Sequence, residues 1–452
     1  MTQAELIDLV KQLLNQLERV QPAISQLRAE LDRLKQPAAT SRNSSLPPAR
    51  DQKANQPPRR HKPRGARPGH VRMERPWVDP PTQVIVAHPA QCVCGADLSV
   101  VEAQQVERHQ LTELPTIKPV VIETQQHTVC CPACGQLQAG ALPEGLEATR
   151  AFGPRLAAAV AYLQHQQHLG YARTETVLRE LFGIDLSAGG QAAIMQRAGQ
   201  AAQPRVAAIQ AQIRQSAVVG SDETSARVDG RTQWEWVFRA AGAVLHVIRA
   251  SRGVDVIESV MGDARVGTWV CDCWAPQLQA PAARFQLCLA HQIRNLQGLR
   301  EKCPHLRWAR DLQALFREAI HLGKRRLALT ADGYRRRVTE LERRLQQLID
   351  RPVQNRTARP LLKRYRKHRE HLFVFLCDPT VPHHNNDCER SLRASVVHRK
   401  VIGTFRSTWG AEAYAALASV ADTAKVRGQA VFQTFVELMG PPVLRYLDAS
   451  SP

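Results

Sequence analysis

The stretch SAVVGSDETSARVDGRTQWEWVF, residues 216–238, marks the point where the chain changes from helical to strand-like periodicity. The short apolar segment AVVGS leads into Asp222 and Glu223, and QWEWVFRA then places Trp234, Trp236 and Phe238 on one face. Alternation of this kind predicts β-strands, with Asp222 at the end of the first one. Such a carboxylate is either a turn residue or one ligand of a metal site.

The segments that follow complete the pattern of an α/β domain. After Gly242, AVLHVIRA predicts the second arm of a hairpin, and VDVIESVMGD predicts a helix. TWVCD then predicts a strand ending at Asp272, and RFQLC predicts a fifth strand. Three strands, a helix, a strand, a short connector and a strand are the order of a ribonuclease-H-like core. Because the first and fourth strands are neighbours in that fold, we expect Asp222 and Asp272 at one sheet edge.

A third carboxylate, Glu389, lies in VPHHNNDCERSLRASVVHRK, residues 381–400, where the pattern predicts a helix. Together with Asp222 and Asp272 it could hold two Mg²⁺ or Mn²⁺ ions, which prefer oxygen ligands. Two such ions promote in-line phosphoryl transfer to a water or a 3′-hydroxyl. The helix also carries a cluster of cations that we expect to contact DNA phosphates: Arg390, Arg393, Arg399 and Lys400.

Each acid also has a purely structural interpretation. Asp222 can be a strand-end turn residue, and Asp272 can cap a short helix. Asn386 and Glu389 stand at the spacing of a capping box, which needs no metal. The joint placement of the three acids in one fold, within a very basic chain, favours the metal site.

The charge of the chain indicates its partner. Among 452 residues, 61 are Lys or Arg and 41 are Asp or Glu, so the formal net charge is +20. Such a surplus favours a polyanion, and nucleic acid first. No apolar run is long enough for a membrane span and no signal peptide is evident, so we expect a cytoplasmic protein without a membrane partner.

The N-terminal segment predicts oligomerisation. Apolar residues follow four-three spacing over about four heptads, at Leu6, Val10, Leu13, Leu17, Val20, Ile24, Leu27, Leu31 and Leu34. This pattern predicts a coiled coil that pairs protomers in a homo-oligomer, with Pro22 as a kink. A single amphipathic helix packed on its own protein is the alternative. The Pro- and Arg-rich stretch that follows predicts a basic linker.

Two cysteine knuckles predict structural zinc. CVCG contributes Cys92 and Cys94, and CCPACG contributes Cys131 and Cys134 with Cys130 as a spare thiol. Tetrahedral Zn²⁺ takes four thiolates from two such turns. The strand-like IKPVVIETQQHTV between them favours a zinc ribbon, and thiols without metal are the alternative.

Two further regions are predicted to be helical. In residues 151–215, Gly183 and Ser187 are stop and start signals between helices. These helices are compatible with a helix-turn-helix or with a plain helical connector. Residues 296–379 are helical and basic, and predict an insertion in the core that either lies along DNA or only shapes the fold.

Over nearly its whole length the chain resembles transposases of the insertion-sequence 66 family, a DDE-type group of bacterial mobile elements. The resemblance rests on NSSLPP, RGARPGH, SDET with WEWVF, CLAHQIRNL, NNDCERSLR and HRKVIGTFRS. It implies that Asp222, Asp272 and Glu389 are the catalytic triad. Cys288 and His291 form the Cys-x-x-His of several such families, and we interpret His291 as a local structural or DNA-positioning residue, with a zinc ligand as the alternative. After the second aspartate CWAP departs from the family pattern, and Trp274 supplies the aromatic residue.

The resemblance further implies an enzyme that cleaves element ends and joins the 3′-hydroxyl to target DNA, with small accessory proteins as possible partners. Alternatives are a ribonuclease-H-like nuclease or resolvase, which cuts without joining, and a non-catalytic DNA-binding regulator of a mobile element.

The expected organisation, in chain order, is a coiled coil (1–36), a basic linker (37–78), a zinc ribbon (79–146), a helical region (147–215), the first part of the core (216–295), a helical insertion (296–379), the last part of the core with the Glu389 helix (380–428) and a C-terminal helix or tail (429–452).

Overall fold

The computed structural model of the chain describes residues 75–146, 151–441 and 443, together with 16, 20–22, 24–27, 40, 43, 44 and 70. Two units are distinguished: Pro57–Val120, and Met1–Gln56 with Val121–Pro452. Most of the predicted coiled coil and linker lies outside the described residues; within it, residues 20–22 and 24–27 are helical and exposed. In the described part of the chain, no helix is both long and apolar enough to cross a membrane.

The unit Pro57–Val120 contains turns and extended chain but no helix or strand in its described part. The side chain of Gln110 holds two segments together, because it accepts from the Val78 amide at 3.0 Å and donates to the Val78 carbonyl at 2.6 Å. The strand-like IKPVVIETQQHTV, residues 117–129, is strand only at its end, where β1 (Thr128–Cys130) pairs with β2 (Leu137–Ala139) in the other unit.

Between residue 151 and the main sheet the chain forms three α-helices: α1 (Pro154–Ala161), α2 (Tyr171–Phe182) and α3 (Ala188–Arg214). A π-helical turn, Tyr162–Gln166, extends α1. The two predicted boundary signals are confirmed: Gly183 ends α2 with φ of +64°, and the Ser187 side chain caps α3 by accepting from the Gly190 amide.

The main sheet has five strands in the order β5-β4-β3-β6-β7. They are β3 (Val218–Val228), β4 (Arg231–Ala240), β5 (Ala243–Arg249), β6 (Val266–Cys271) and β7 (Ala282–Leu287), with α4 (Val254–Met261) between β5 and β6. The first three strands are antiparallel, whereas β6 and β7 run parallel to β3. The expected neighbours, the first and fourth strands, are therefore paired.

The length of β3 corrects one prediction. Asp222 does not end the strand, because β3 continues to Val228 and Asp222 pairs with Val237 of β4. The sequence beyond Asp222 is polar, so the apolar pattern ends before the strand does. The turn at Asp229 and Gly230, both with positive φ, then reverses the chain into β4.

Eight helices in the described part follow the sheet strands. They are α5 (Leu289–Lys302), α6 (Arg307–Lys324), α7 (Ala331–Asp350), α8 (Arg359–Lys367), α9 (Val374–Cys377), α10 (Asn386–Ile402), α11 (Thr408–Val426) and α12 (Val431–Met439). The basic segment 296–379 forms α6 to α9 and the end of α5.

The helical insertion shares its core with the sheet. Phe316 of α6 packs against Tyr365 of α8 at 5.6 Å between ring centroids, and both belong to the same apolar cluster as Trp269 of β6. The buried Gln286 of β7 donates to the Leu372 carbonyl at 3.0 Å and accepts from the Phe375 amide at 3.0 Å. The insertion is thus joined to the β6 and β7 side of the sheet by packing and by satisfied polar contacts.

Helix α3 is a core helix. Ala198 and Ala202 of α3 pack in one buried cluster with Ala416 and Val420 of α11. The crossing is close because a Cβ at Gly199 would lie 2.5 Å from the Ala413 Cβ. A recognition helix of a helix-turn-helix presents its face to DNA, whereas this face of α3 is covered by α11.

A buried charged network joins β4, β5 and α11. The His246 imidazole contacts Glu235 at 3.0 Å through Nδ1 and Asp422 at 3.2 Å through Nε2, and the imidazole and the Glu235 carboxylate are almost completely buried. Burial alone would lower the pKa of His246, but the hydrogen bonds and charges of Asp422 and Glu235 raise it to about 9. His246 is therefore an imidazolium at neutral pH.

This network predicts a pH-dependent stability. Because the folded pKa of His246, about 9, exceeds its ordinary 6.5, its contribution is complete below pH 6.5 and is lost as the pH rises through 9, by about 3 kcal/mol in all. We expect His246→Gln to lower the free energy of unfolding by about 3 kcal/mol at pH 6.5 and by less at pH 9.5. Urea unfolding across this range measures the difference.

The exposed His305 offers a matched control, because His305→Gln should leave the stability and its pH profile unchanged. Parallel profiles for wild type and His246→Gln would show that the imidazolium is not the stabilising form.

Candidate active site

Two aspartates come together where β6 ends beside the middle of β3. The parallel register of β3 and β6 pairs Val218 with Thr268 and Gly220 with Val270. Continued by two residues, this register brings Asp222 beside Asp272, which directly follows β6. The Asp272 carboxylate accepts from the Trp274 amide at 2.8 Å, which fixes its position after the strand.

Asn385 brings the third acid to this edge. Its side-chain amide donates to the Ser221 carbonyl at 2.6 Å, and its backbone amide donates to the Cys288 thiol at 3.2 Å. The approach is close, since a Cβ at Gly220 would lie 3.1 Å from both the Asn385 oxygen and the Cys388 sulfur. Asn385, which is 2% exposed, therefore holds the start of α10 against β3.

The start of α10 also replaces the capping-box interpretation. The N-cap is Asn385 rather than Asn386, and no side chain caps the helix. The Glu389 carboxylate turns to α5 instead, where Oε1 accepts from the Arg294 guanidinium at 3.2 Å and lies 3.5 Å from Nε2 of His291. Glu389 is thus held by two cationic or protonatable groups of α5.

The three acids lie within electrostatic range of one another. Burial raises the pKa of the Asp222 carboxyl well above its ordinary range. The charges of Asp272, Glu223 and Glu389 act in the same direction. Carboxylates that repel one another in this way, without an ion pair to Asp222 among the described residues, form a site suited to a divalent cation.

A fourth acid, Glu223, is neutralised on the opposite face of β3. Arg252 donates to its Oε1 at 3.0 and 2.8 Å, and Gln277 donates to Oε2 at 2.6 Å. The Arg252 guanidinium lies 4.5 Å from the Trp234 ring centroid and 4.1 Å from that of Trp274. This stack fixes the segment after Asp272, and it gives Trp274 a structural partner.

Comparison of the sequence with known protein families identifies one match. A sequence model described as Transposase IS66 family matches residues 150–413, more than half of the chain. The chain belongs to the IS66 transposase family. No curated protein matches the sequence. The resemblance inferred from the motifs is therefore confirmed, and family membership indicates a DNA-processing protein.

The four cations predicted to contact phosphate differ in position in this family member. Arg393 and Lys400 are exposed on α10, and Arg390 is exposed beside Asp387 at 3.5 Å. Arg399 departs from the expectation, because its side chain turns inward to the Ser225 carbonyl, the Thr224 hydroxyl and the Glu235 carboxylate. Burial lowers the pKa of its guanidinium. Arg399 is half-buried and contacts β3 and β4, unlike the three exposed cations.

The cysteine knuckles lie in different units, and each is described by itself. In one unit the Cys92 carbonyl accepts from the Gly95 amide at 2.9 Å, where φ of Gly95 is +91°. In the other, the Cys131 carbonyl accepts from the Gly135 amide at 2.8 Å. The pKa of the Cys94 thiol is lowered by a hydrogen bond from the Ala96 backbone and then by the Cys92 thiol. The pKa of the Cys131 thiol is lowered by the Ala133 backbone and then by Cys134. Both turns thus favour thiolates, and the four-cysteine zinc site stays a prediction.

Several residues at the site escaped the sequence analysis. Arg252 and Gln277 contact Glu223 from 29 and 54 residues away, and Arg294 contacts Glu389 from 95 residues away. Arg294 lies in the motif CLAHQIRNL and Asn385 in NNDCERSLR, but neither motif indicates the contact that its residue makes.

We expect Asn385→Ala to lower activity because Glu389 then loses its position beside β3. A misplacement of about 1 Å costs on the order of 100-fold in rate, and the unpaired Ser221 carbonyl costs about 1–3 kcal/mol of stability. Transposition of a mini-element built from the DNA that flanks the gene measures the first effect, and thermal unfolding the second.

Asn386→Ala, at the neighbouring half-buried position, is the control and should retain activity. Wild-type transposition by Asn385→Ala would contradict the role of Asn385 in positioning Glu389.

Proposed function

We propose that this chain is a metal-dependent DNA transposase that frees a 3′-hydroxyl at the ends of an insertion element and joins it to target DNA. The observation that carries the proposal is the convergence of Asp222, Asp272 and Glu389 from β3, the end of β6 and α10. The strand order, three antiparallel strands followed by two parallel ones, supports a ribonuclease-H-like core.

The residues fit divalent cations. Asp222, Asp272 and Glu389 would hold Mg²⁺ or Mn²⁺, since these ions take a few carboxylates and complete their shells with water and phosphate oxygens. Bound ions supply activation of the attacking oxygen and stabilisation of the leaving oxygen. Asn385 and Arg294 orient the Glu389 carboxylate, and Arg252 keeps Glu223 on the opposite face of β3.

The surface around the acids fits a polyanion. Arg390, Arg393 and Lys400 are exposed on the helix that carries Glu389. Arg364 and Lys367 of α8 are close enough to lower the pKa of the thiol of Cys273, which burial raises. Both cations therefore lie near Asp272, and we propose that α8 contacts DNA beside the scissile phosphate. Pairing of protomers through residues 1–36, structural zinc on the cysteine knuckles and accessory proteins remain parts of the proposal.

We expect Glu389→Gln to abolish strand transfer while DNA binding stays within a few-fold of wild type. The amide keeps the size of the side chain but removes the charge that a divalent cation needs. Purified protein is incubated with Mg²⁺ or Mn²⁺ and a supercoiled plasmid carrying the flanking DNA, and every nick and joint is mapped by sequencing.

Asp387→Asn is the matched control, since Asp387 lies in the same helical turn and pairs only with Arg390 among its described contacts. Full strand transfer by Glu389→Gln would overturn the assignment of Glu389. Cuts without joints from the wild-type protein would identify a nuclease or resolvase, and tight binding without any nick would identify a regulator.

We further expect the substitution of Arg390, Arg393 and Lys400 by Gln to weaken binding to all DNA sequences alike. If each cation neutralises one phosphate, the slope of log K against log salt should fall by about 2–3. Fluorescence anisotropy at several salt concentrations gives the slope. Arg399→Gln is the contrast, because it should lower stability and leave the slope unchanged; an unaltered slope in the triple variant would exclude α10 from the DNA surface.

A further inference from the structure

A second donor cluster adjoins Glu389. Ligand atoms of Cys288, His291 and Glu389 all lie within 4.8 Å of one another. Cys288 is the N-cap of α5 and His291 lies in its first turn, so the two side chains project from the same end of that helix. Cys288 is 0% exposed and His291 is 8% exposed, whereas Glu389 is half-buried. The cluster is therefore closed on the side of α5 and open at Glu389.

Protein contacts alone do not satisfy the His291 imidazole. Its Nδ1 is buried and has no hydrogen-bond partner in the described part of the chain. Its Nε2 lies 3.5 Å from Glu389 Oε1, which is longer than a good hydrogen bond. A bound ion would give one of these two ring nitrogens a partner and so remove part of the cost of burying the imidazole.

The surroundings of Cys288 suit a coordinated thiolate. The Asn385 amide donates to its sulfur at 3.2 Å, and the Leu289 amide donates to the His383 carbonyl at 2.9 Å, which fixes the start of α5. Outer-shell hydrogen bonds of this kind orient and stabilise metal ligands. The thiol thus has a fixed position. Burial raises its pKa to about 11, although the backbone amides of Asn385 and His291 act in the opposite direction, so the thiol would lose its proton at neutral pH only on binding an ion.

The donor set selects the class of ion. Sulfur and imidazole nitrogen are preferred by Zn²⁺ and disfavoured by Mg²⁺, which requires oxygen ligands. Tetrahedral Zn²⁺ with its usual bond lengths separates neighbouring ligand atoms by roughly 3.2–3.7 Å. The observed 3.5 Å between His291 and Glu389 fits such an edge.

We propose that Cys288, His291 and Glu389 bind a thiophilic divalent ion of the Zn²⁺ class, with a fourth position open to water at the side of Glu389. The site is distinct from the proposed Mg²⁺ site and shares one carboxylate with it. Arg294, 3.2 Å from Glu389 Oε1, is the positive charge with which the ion competes. Binding at this site does not require strand transfer, so the two proposals fail independently.

The test measures zinc bound to the full-length protein. Protein is saturated with Zn²⁺, dialysed against excess Mg²⁺, and its zinc content is determined by mass spectrometry. We expect Cys288→Ala to hold one zinc per chain fewer than wild type. Cys388→Ala is the matched control, because Cys388 is equally buried beside Gly220 but lies outside the cluster. The zinc of the cysteine knuckles, if present, is unaffected by either change.

A gain of affinity separates the site from a folding defect. We expect Arg294→Gln to bind Co²⁺, the spectroscopic probe for zinc, at least about tenfold more tightly, because a competing positive charge is removed. The visible absorption of Co²⁺ in a tetrahedral sulfur-containing site follows the titration. Equal zinc content in wild type and Cys288→Ala, or unchanged Co²⁺ affinity in Arg294→Gln, would overturn the proposal.

Discussion

The contact on which the site depends is the hydrogen bond from the Asn385 side chain to the Ser221 carbonyl, 2.6 Å long. It joins segments 164 residues apart, one carrying Asp222 and the other Glu389. The same residue binds the Cys288 thiol and so fixes α5 against α10. Both the side-chain amide and the backbone amide of Asn385 have buried partners. Removing the side chain would leave a buried carbonyl unsatisfied, which is costly. Asn385 therefore fixes the position of the helix that carries Glu389 relative to the strand that carries Asp222.

The acids around the site differ in how their negative charges are compensated. Glu223 has the Arg252 guanidinium, and Glu389 has Arg294 and His291. Asp222 is crowded by acids instead, so burial and repulsion raise its pKa. A fold selected for stability alone would neutralise this carboxylate. Asp222 has no ion pair in the described part of the chain, which fits the proposed divalent cation, because carboxylates with perturbed pKa values are common at functional sites.

The sequence predicted the parts of the fold that depend on local pattern. The strands after residue 216, the helix ends at Gly183 and Ser187, and the pairing of the strands that carry Asp222 and Asp272 all followed from periodicity and order. The full length of β3 did not, because its second half is polar and is held by pairing with β4. Arg399 shows the same limit. Its position in the helix sequence predicts an exposed cation, whereas its contact with Glu235 of β4 depends on how α10 packs on the sheet. Contacts such as Arg252 with Glu223 depend on tertiary proximity, for which a single sequence carries no signal.

The continuation of β3 beyond Asp222 has a mechanical consequence. The Asp222 backbone lies in mid-strand and pairs with Val237 of β4, two residues beyond the last pair with β6, so the sheet fixes its position. Asp272, bonded to the Trp274 amide, is fixed nearly as firmly. Glu389 lies on a separate helix that is held to β3 through side chains. Its carboxylate can therefore change position relative to Asp222 and Asp272 more easily than those two can relative to each other. A rearrangement that changes the distances between the three acids would therefore act by moving α10 relative to β3.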